Sequence, residues 1–189
     1  MNAQRVARQR PATGSQPQTV EVVILAGGLS RRMGRDKARL RLRGRTLLAW
    51  VRAAARATGL SVRVIRRDLV PRCGPMGGVW TGFQRSRGER LVFLSCDMPF
   101  VTPELISALA GRRGRAVFSE SAEGAGFPFA LDRRCLPLVA QALVEKRFSL
   151  QALAGRLRAG RHRLPRRRQA ELRNLNTPED FRRAVVTPA

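Results

Sequence analysis

The chain has 189 residues, 43% of them hydrophobic, and a formal net charge of +24. That hydrophobic fraction excludes a disordered protein, and the length suits one domain with a sizeable core. Lys37 and Lys146 are the only lysines and tyrosine is absent, so the charge is arginine spread along the whole chain, with no aromatic surface on which nucleic-acid bases would stack.

Residues 1–19 are polar, contain Pro11 and Pro17, and read as a disordered tail ahead of a domain over residues 20–189. Residues 20–25 are mostly apolar and β-branched, as in a buried strand. The stretch Leu-Ala-Gly-Gly-Leu-Ser-Arg-Arg-Met-Gly-Arg-Asp-Lys, from Leu25 to Lys37, leaves that strand as a glycine-rich loop. Residues 40–45 form a short segment that turns. Residues 46–58 read as an amphipathic helix, with Leu47, Leu48, Val51, Ala54 and Ala55 on helical spacing and Gly59 as its stop. Residues 61–65 alternate as a strand does.

A second glycine-rich loop follows, with Asp68, Gly74, Gly77 and Gly78, and a helix is expected over 80–86 with Gly78 near its start. Residues 91–95 are a continuous apolar run, the pattern of a central parallel strand. Thr102 is placed to cap a helix over 103–109, with Pro103 at its first position. A strand over 115–119, a polar turn over 120–126 and a strand or edge strand over 127–131 come next, the last demoted by Pro128. Helices are expected over 136–144 and 150–157. The Arg-rich stretch 156–170 reads as a loop with a short strand near Arg163 and Leu164, and a last helix runs from Pro178 to about Val185. Strand–helix alternation implies a single α/β domain, Rossmann-like, its sheet mostly parallel with helices on both faces. Ligands of such sheets bind at the carboxyl ends of the strands.

Cys73, Cys96 and Cys135 are far apart and form no Cys-x-x-Cys pair, which argues against a disulfide framework and a zinc site. Neither a signal peptide nor a membrane span is apparent, so a cytoplasmic protein without membrane attachment is expected.

Chemistry concentrates in three loops. Gly27 and Gly28 admit a ligand close to the backbone, whose successive N–H groups can bind an anion. Arg32 and Lys37 place cations beside them, and arginine grips phosphate with two parallel hydrogen bonds. Asp97 stands just past a buried apolar strand, where a carboxylate either holds Mg²⁺ or serves as a turn residue before Pro99. Asp68, in the second loop, reads on its own as a surface turn residue. Asn174 and Asn176 either line the site or, with Thr177, cap the last helix.

The first loop resembles the signature loop of the molybdenum cofactor guanylyltransferases and their nucleotidyltransferase relatives. Leu25, Ala26, Gly27, Gly28, Ser30, Arg32, Met33, Gly34, Asp36 and Lys37 all fall in register. Ser-Cys-Asp-Met-Pro-Phe around Asp97 looks like that family's metal-binding motif, and Arg67-Asp68 with Gly74 to Gly78 resembles its second loop. Residues 127–131 and 174–180 resemble two later blocks.

The resemblance implies transfer of GMP from GTP to a molybdopterin-type cofactor, with pyrophosphate released. It implies a nucleotide site of Leu25, Ala26, Gly27, Gly28, Lys37, Asp68 and Asp97. Arg32, Lys37 and Asp97 would be catalytic, with Mg²⁺ on Asp97. It leaves molybdoenzyme maturation proteins open as partners. A cytidylyl- or sugar-phosphate nucleotidyltransferase of the same fold, or a non-catalytic basic nucleic-acid-binding protein, are the alternatives. One departure bears on the base: relatives carry an extra strand and helix, with a nucleotide-contacting asparagine, where residues 58 and 62 here almost abut.

Overall fold

The computed structural model describes residues 19–27 and 40–186. Gly28, Arg32 and Lys37, and all but the last residue of the expected tail, lie outside them. The strands are β1 (Val20–Leu25), β2 (Arg41–Leu42), β3 (Arg45–Thr46), β4 (Ser61–Ile65), β5 (Arg90–Ser95), β6 (Ala116–Ser121), β7 (Gly124–Asp132) and β8 (Gly160–Arg163). The helices are α1 (Leu47–Ala57), α2 (Gly74–Arg85), α3 (Pro103–Gly111), α4 (Leu136–Val144), α5 (Leu150–Arg156) and α6 (Pro178–Val186).

Six strands form one sheet in the order β4-β1-β5-β7-β6-β8, and β2 pairs with β3 as a separate hairpin. Within the six, β7 alone runs antiparallel to its neighbours. The sheet is covered on both faces, so its central strands are apolar on both sides. Val22, Ile24, Val92 and Leu94 meet α1 (Leu48, Val51, Ala55) and α3 (Leu105, Ile106, Leu109). Their alternates Val23, Leu25, Leu91 and Phe93 meet α2 (Met76, Val79, Phe83), with α4 and α5 beyond.

Phenylalanines cross that second face as a continuous row. Phe83 meets Phe93 edge-on at 5.6 Å between centroids, Phe93 stacks on Phe129 at 5.1 Å, and Phe129 stacks on Phe118 at 4.5 Å. Truncating any of these buried rings to alanine costs about 3–5 kcal/mol. Thr46, Thr102 and Ser149 start α1, α3 and α5, each hydroxyl accepting a backbone N–H of the first turn.

At the amino end of β5 an ion pair is fully enclosed. Arg90 Nη1 donates to Asp132 Oδ1 at 2.6 Å and to the Gly114 carbonyl at 2.9 Å, and Nη2 donates to the Leu109 carbonyl at 3.1 Å. These carbonyls give the guanidinium more partners than the carboxylate alone, which is what makes a buried charge tolerable.

Three expectations need correction. The helix expected over 80–86 begins at Gly74, so the second glycine-rich stretch is mostly helix. The strand placed at an edge by Pro128 is an interior strand of nine residues. Its pairing with β6 shifts between Phe118 and Ser119, opposite Phe127 and Pro128, and this irregularity accommodates a residue without an N–H. The polar turn over 120–126 shrinks to Ala122 and Glu123, because both strands extend into it.

Candidate active site

The carboxyl ends of β4, β1 and β5 lie side by side, with Leu25 in register with both Ile65 and Ser95. Pairing continues one step past the strands. Ala26 N donates to the Ile65 carbonyl at 2.8 Å, and Cys96 N donates to the Leu25 carbonyl at 3.1 Å. The three loops singled out from sequence therefore leave one edge together. They surround an open cleft of about 820 Å³ lined by Leu25, Gly27, Asp68, Gly78, Ser95 and Phe127, with Arg66, Arg67 and Arg72 around it.

Gly27 has a reason within the protein itself. A Cβ there would lie 2.8 Å from the Arg66 carbonyl oxygen, closer than carbon and oxygen can approach without displacement. The glycine lets the loop after β1 lie directly on the loop after β4, in addition to any closeness it offers a ligand.

Glycines on α2 act in the same way. A Cβ on Gly77 would fall 2.5 Å from the Val70 carbonyl oxygen, one on Gly78 would fall 2.8 Å from Leu25 Cδ1, and one on Gly82 would fall 2.6 Å from Phe93 Cε1. The glycine face seats the helix tightly on β1, β5 and the Asp68 loop. Thr81 fixes that loop: its hydroxyl accepts from Leu69 N at 2.8 Å and donates to the Gly77 carbonyl at 2.7 Å. The amino end of α2, at Gly74 and Pro75, borders the cleft, where the positive end of the helix dipole favours an anion, although Pro75 itself has no N–H to donate.

Asp68 is half-buried in the cleft wall with no hydrogen bond or ion pair among the described residues. Burial pushes its pKa above the ordinary value. Asp97 is also half-buried. Its Oδ1 accepts from Ser95 Oγ at 2.6 Å, and its carbonyl accepts from Leu175 N at 2.8 Å. Ser95 itself lines the cleft, so Asp97 stands one hydrogen bond behind the wall.

Among the described residues no group of three or more His, Cys, Asp or Glu could hold a metal. A single fixed carboxylate nonetheless suits Mg²⁺, which takes one or two carboxylates and completes its shell with water and substrate phosphate. Leu25, Ala26, Gly27, Asp68 and Asp97 are thus gathered at one sheet edge, while Gly28, Arg32 and Lys37 lie outside the described residues. Sequence reasoning missed Ser95, Arg66, Arg72 and Phe127. Ser95, inside the motif around Asp97, and Phe127, inside the block 127–131, had left a signal in the sequence without being assigned a role.

A second groove of about 470 Å³ opens on the other side of Phe127, between the β6–β7 hairpin and the chain leading into α6. Ser119, Gln169, Arg173, Asn174 and Asn176 line it. The Ser119 hydroxyl is buried and has no hydrogen-bond partner among the described residues. Asp180 accepts from the N–H groups of Asn176 and Thr177, and Thr177 Oγ1 accepts from Asp180 N at 3.1 Å. The Thr177 hydroxyl therefore serves the start of α6, while Asn174 and Asn176 face the groove. His162 lies on β8, where its Nδ1 is 2.7 Å from Arg112 Nη1, away from both cavities. The three cysteines form no disulfide and are buried, and burial pushes the Cys135 thiol up to about 11. Among the described residues no helix is long and apolar enough to cross a membrane.

Known proteins resemble this chain closely enough to place it. The MobA-like NTP transferase domain matches residues 22–162. A molybdenum cofactor guanylyltransferase of Xanthomonas euvesicatoria is 32% identical over 94% of this chain and 96% of its own length. A probable molybdenum cofactor guanylyltransferase of Bacillus licheniformis is 36% identical over 62% of this chain and 65% of its own length. The crystal structure of molybdopterin-guanine dinucleotide biosynthesis protein A from Archaeoglobus fulgidus superposes with a TM-score of 0.69 at 21% identity, covering 87% of this chain and 96% of that one. With the signature loop, the six-stranded sheet and the cleft at its carboxyl edge, these matches establish that the chain belongs to the MobA-like NTP transferase domain family and is a nucleotidyltransferase.

Proposed function

We propose that the protein transfers GMP from GTP to a molybdopterin-type molybdenum cofactor. The terminal phosphate oxygen of the cofactor attacks the α-phosphorus, the bond to the β-phosphate oxygen breaks, and pyrophosphate leaves. The observation that carries this reading is the pair of cavities on either side of Phe127 at the carboxyl edge of the sheet. One is bordered by the glycine loop and a helix amino end, as a triphosphate requires. The other is polar and offers the hydrogen-bonding groups that a pterin acceptor would use.

In this reading the backbone after β1 and the amino end of α2 bind phosphate oxygens. Arg32 and Lys37 neutralise charge on the triphosphate. Asp68 accepts the two adjacent N–H donors of guanine, a pair that adenine and cytosine lack. Asp97, oriented by Ser95, holds Mg²⁺, which when bound neutralises charge on the phosphates. Ser119, Asn174 and Asn176 hold the acceptor. The reaction belongs to the cytoplasm, and molybdoenzyme maturation proteins would receive the product.

The test is pyrophosphate release from each nucleoside triphosphate, with and without molybdenum cofactor. GTP should be used in preference to ATP and CTP, and only with the acceptor present. Equal use of CTP would move the protein to the cytidylyl branch, and acceptor-independent indifference to every nucleotide would remove the reading.

A further inference from the structure

On the α1 and α3 side of the sheet, α1 carries two apolar stripes. Leu47, Leu48, Val51 and Ala55 are buried against the sheet and its neighbours. Trp50, Ala53, Ala54 and Ala57 follow one another at i, i+3, i+4 and i+7, and they floor a groove of about 590 Å³ completed by Pro99, Phe100 and Val101. A surface helix ordinarily has one such stripe. The β2–β3 hairpin covers the Trp50 end of the second, where the indole N–H donates to the Leu42 carbonyl at 2.9 Å, while Ala53 and Ala57 are exposed.

The rim is basic. Arg43 and Arg45 come from the β2–β3 hairpin, and Arg167 and Arg168 from the turn of 3₁₀ helix that follows β8. Among the described residues the groove's one acid is Glu171, whose carboxylate pairs with Arg168 and accepts from Thr102 Oγ1, which leaves the rim charge to Arg43, Arg45 and Arg167. Arg45 lies over the Trp50 ring at 4.6 Å, which keeps both its charge and its apolar stem at the groove.

We propose that this groove docks an acidic amphipathic helix of another protein. Ala53 and Ala54, four and three residues before Ala57, let a second helix approach closely, and helix-in-groove recognition uses anchors at three- and four-residue spacing. The sign of the rim selects glutamate or aspartate on the flanks of the incoming helix. It also disfavours two other occupants. Residues 1–18 carry Arg5, Arg8 and Arg10 and no acid, and a second copy of a chain with net charge +24 would bring like charge to like. Pro99 lies two residues after Asp97, so a helix seated here borders the segment that carries that carboxylate. The inference does not depend on which nucleotide or acceptor is used.

The probe is a dye-labelled synthetic helical peptide with leucines at i, i+3, i+4 and i+7 flanked by glutamates, compared with the same peptide carrying lysines. Fluorescence anisotropy with the whole protein should give acidic-peptide binding on the order of 10 μM at low salt, weakening as salt rises. The lysine peptide should bind at least about tenfold more weakly. Ala53→Glu, which puts a charge on the floor, and Arg167→Glu, which reverses part of the rim, should each weaken the acidic peptide about tenfold. Both positions are exposed, so both variants should unfold at the wild-type temperature. Three outcomes overturn the proposal: no acidic-peptide binding, equal binding of the two peptides, or equal binding by wild type and both variants. A wild-type dimer in sedimentation that Ala53→Glu dissociates would also overturn it, by assigning the groove to a second copy.

Discussion

The α-carbon of Gly27 sits against the carbonyl of Arg66 so closely that an added Cβ would lie 2.8 Å from its oxygen and 3.0 Å from its carbon. At that point the chain leaving β1 touches the chain leaving β4 backbone to backbone. Gly27→Ala should separate them, strain the hydrogen bond from Ala26 N to the Ile65 carbonyl, and destabilise the protein by about 1–3 kcal/mol. GTP affinity should fall as well. Thermal unfolding and calorimetric titration measure the two effects, and an alanine variant unchanged in both would contradict the contact.

Ser95 and Asp97 would act at two levels of the proposed Mg²⁺ site, Asp97 on the metal and Ser95 on Asp97. Asp97→Asn is nearly isosteric and should leave the fold intact while lowering Mg²⁺-dependent turnover by roughly a hundredfold or more. Ser95→Ala only frees the carboxylate to rotate, and the cost should be about tenfold, recovered in part at high Mg²⁺. Turnover measured against Mg²⁺ concentration distinguishes them. Normal turnover in Asp97→Asn with unchanged Mg²⁺ dependence would reduce Asp97 to a turn residue.

Asp68 sets stability against recognition. Burial raises its folded pKa above the ordinary value, so its contribution to stability is intact below the ordinary value and is lost as pH rises through the folded pKa. Asp68→Asn removes the ionised form and should raise the unfolding temperature at neutral pH, with the gain disappearing in acid. The same change should erode the preference for GTP over ATP. Unfolding scans at neutral and acidic pH, together with competition between nucleotides, test both halves.

The Arg90–Asp132 pair makes a prediction far from the cleft. Asp132→Ala would leave the enclosed Arg90 guanidinium without its carboxylate, a loss of about 3–5 kcal/mol. Nucleotide selectivity of the variant, measured below its lowered unfolding temperature, should match the wild type.

Lys37→Ala should lower turnover by orders of magnitude, on the scale of removing a charge that meets the transferring phosphates, with an unchanged circular dichroism spectrum. Near-normal turnover would remove Lys37 from the site.

Much of this was legible in the chain. The apolar runs of β1 and β5 marked central strands, and a carboxylate just past such a run marked Asp97. The start of α2 was hidden because Gly-Pro-Met-Gly-Gly is poor helix sequence; close seating on Leu25, Val70 and Phe93 overrides that preference. Pro128 hid the interior place of β7, since the pairing shift that accommodates it belongs to two strands at once. Ser95 and Arg66 became site residues through cross-strand register, Leu25 with Ser95 and with Ile65. No single segment carries that information.

Phe127 forms part of the wall of both cavities, and it does so because β7 runs against its neighbours and begins at the sheet's carboxyl edge. The walls then divide by chain order. Among the described residues, those lining the first cleft precede Asp97, Phe127 excepted, and those lining the second groove follow it. An enzyme arranged in this way is modular along its length: the β6–β7 hairpin and the segment entering α6 can be exchanged to admit a different acceptor while donor chemistry stays encoded upstream. A chimera carrying a relative's residues 119–183 should accordingly inherit that relative's acceptor and keep its own nucleotide.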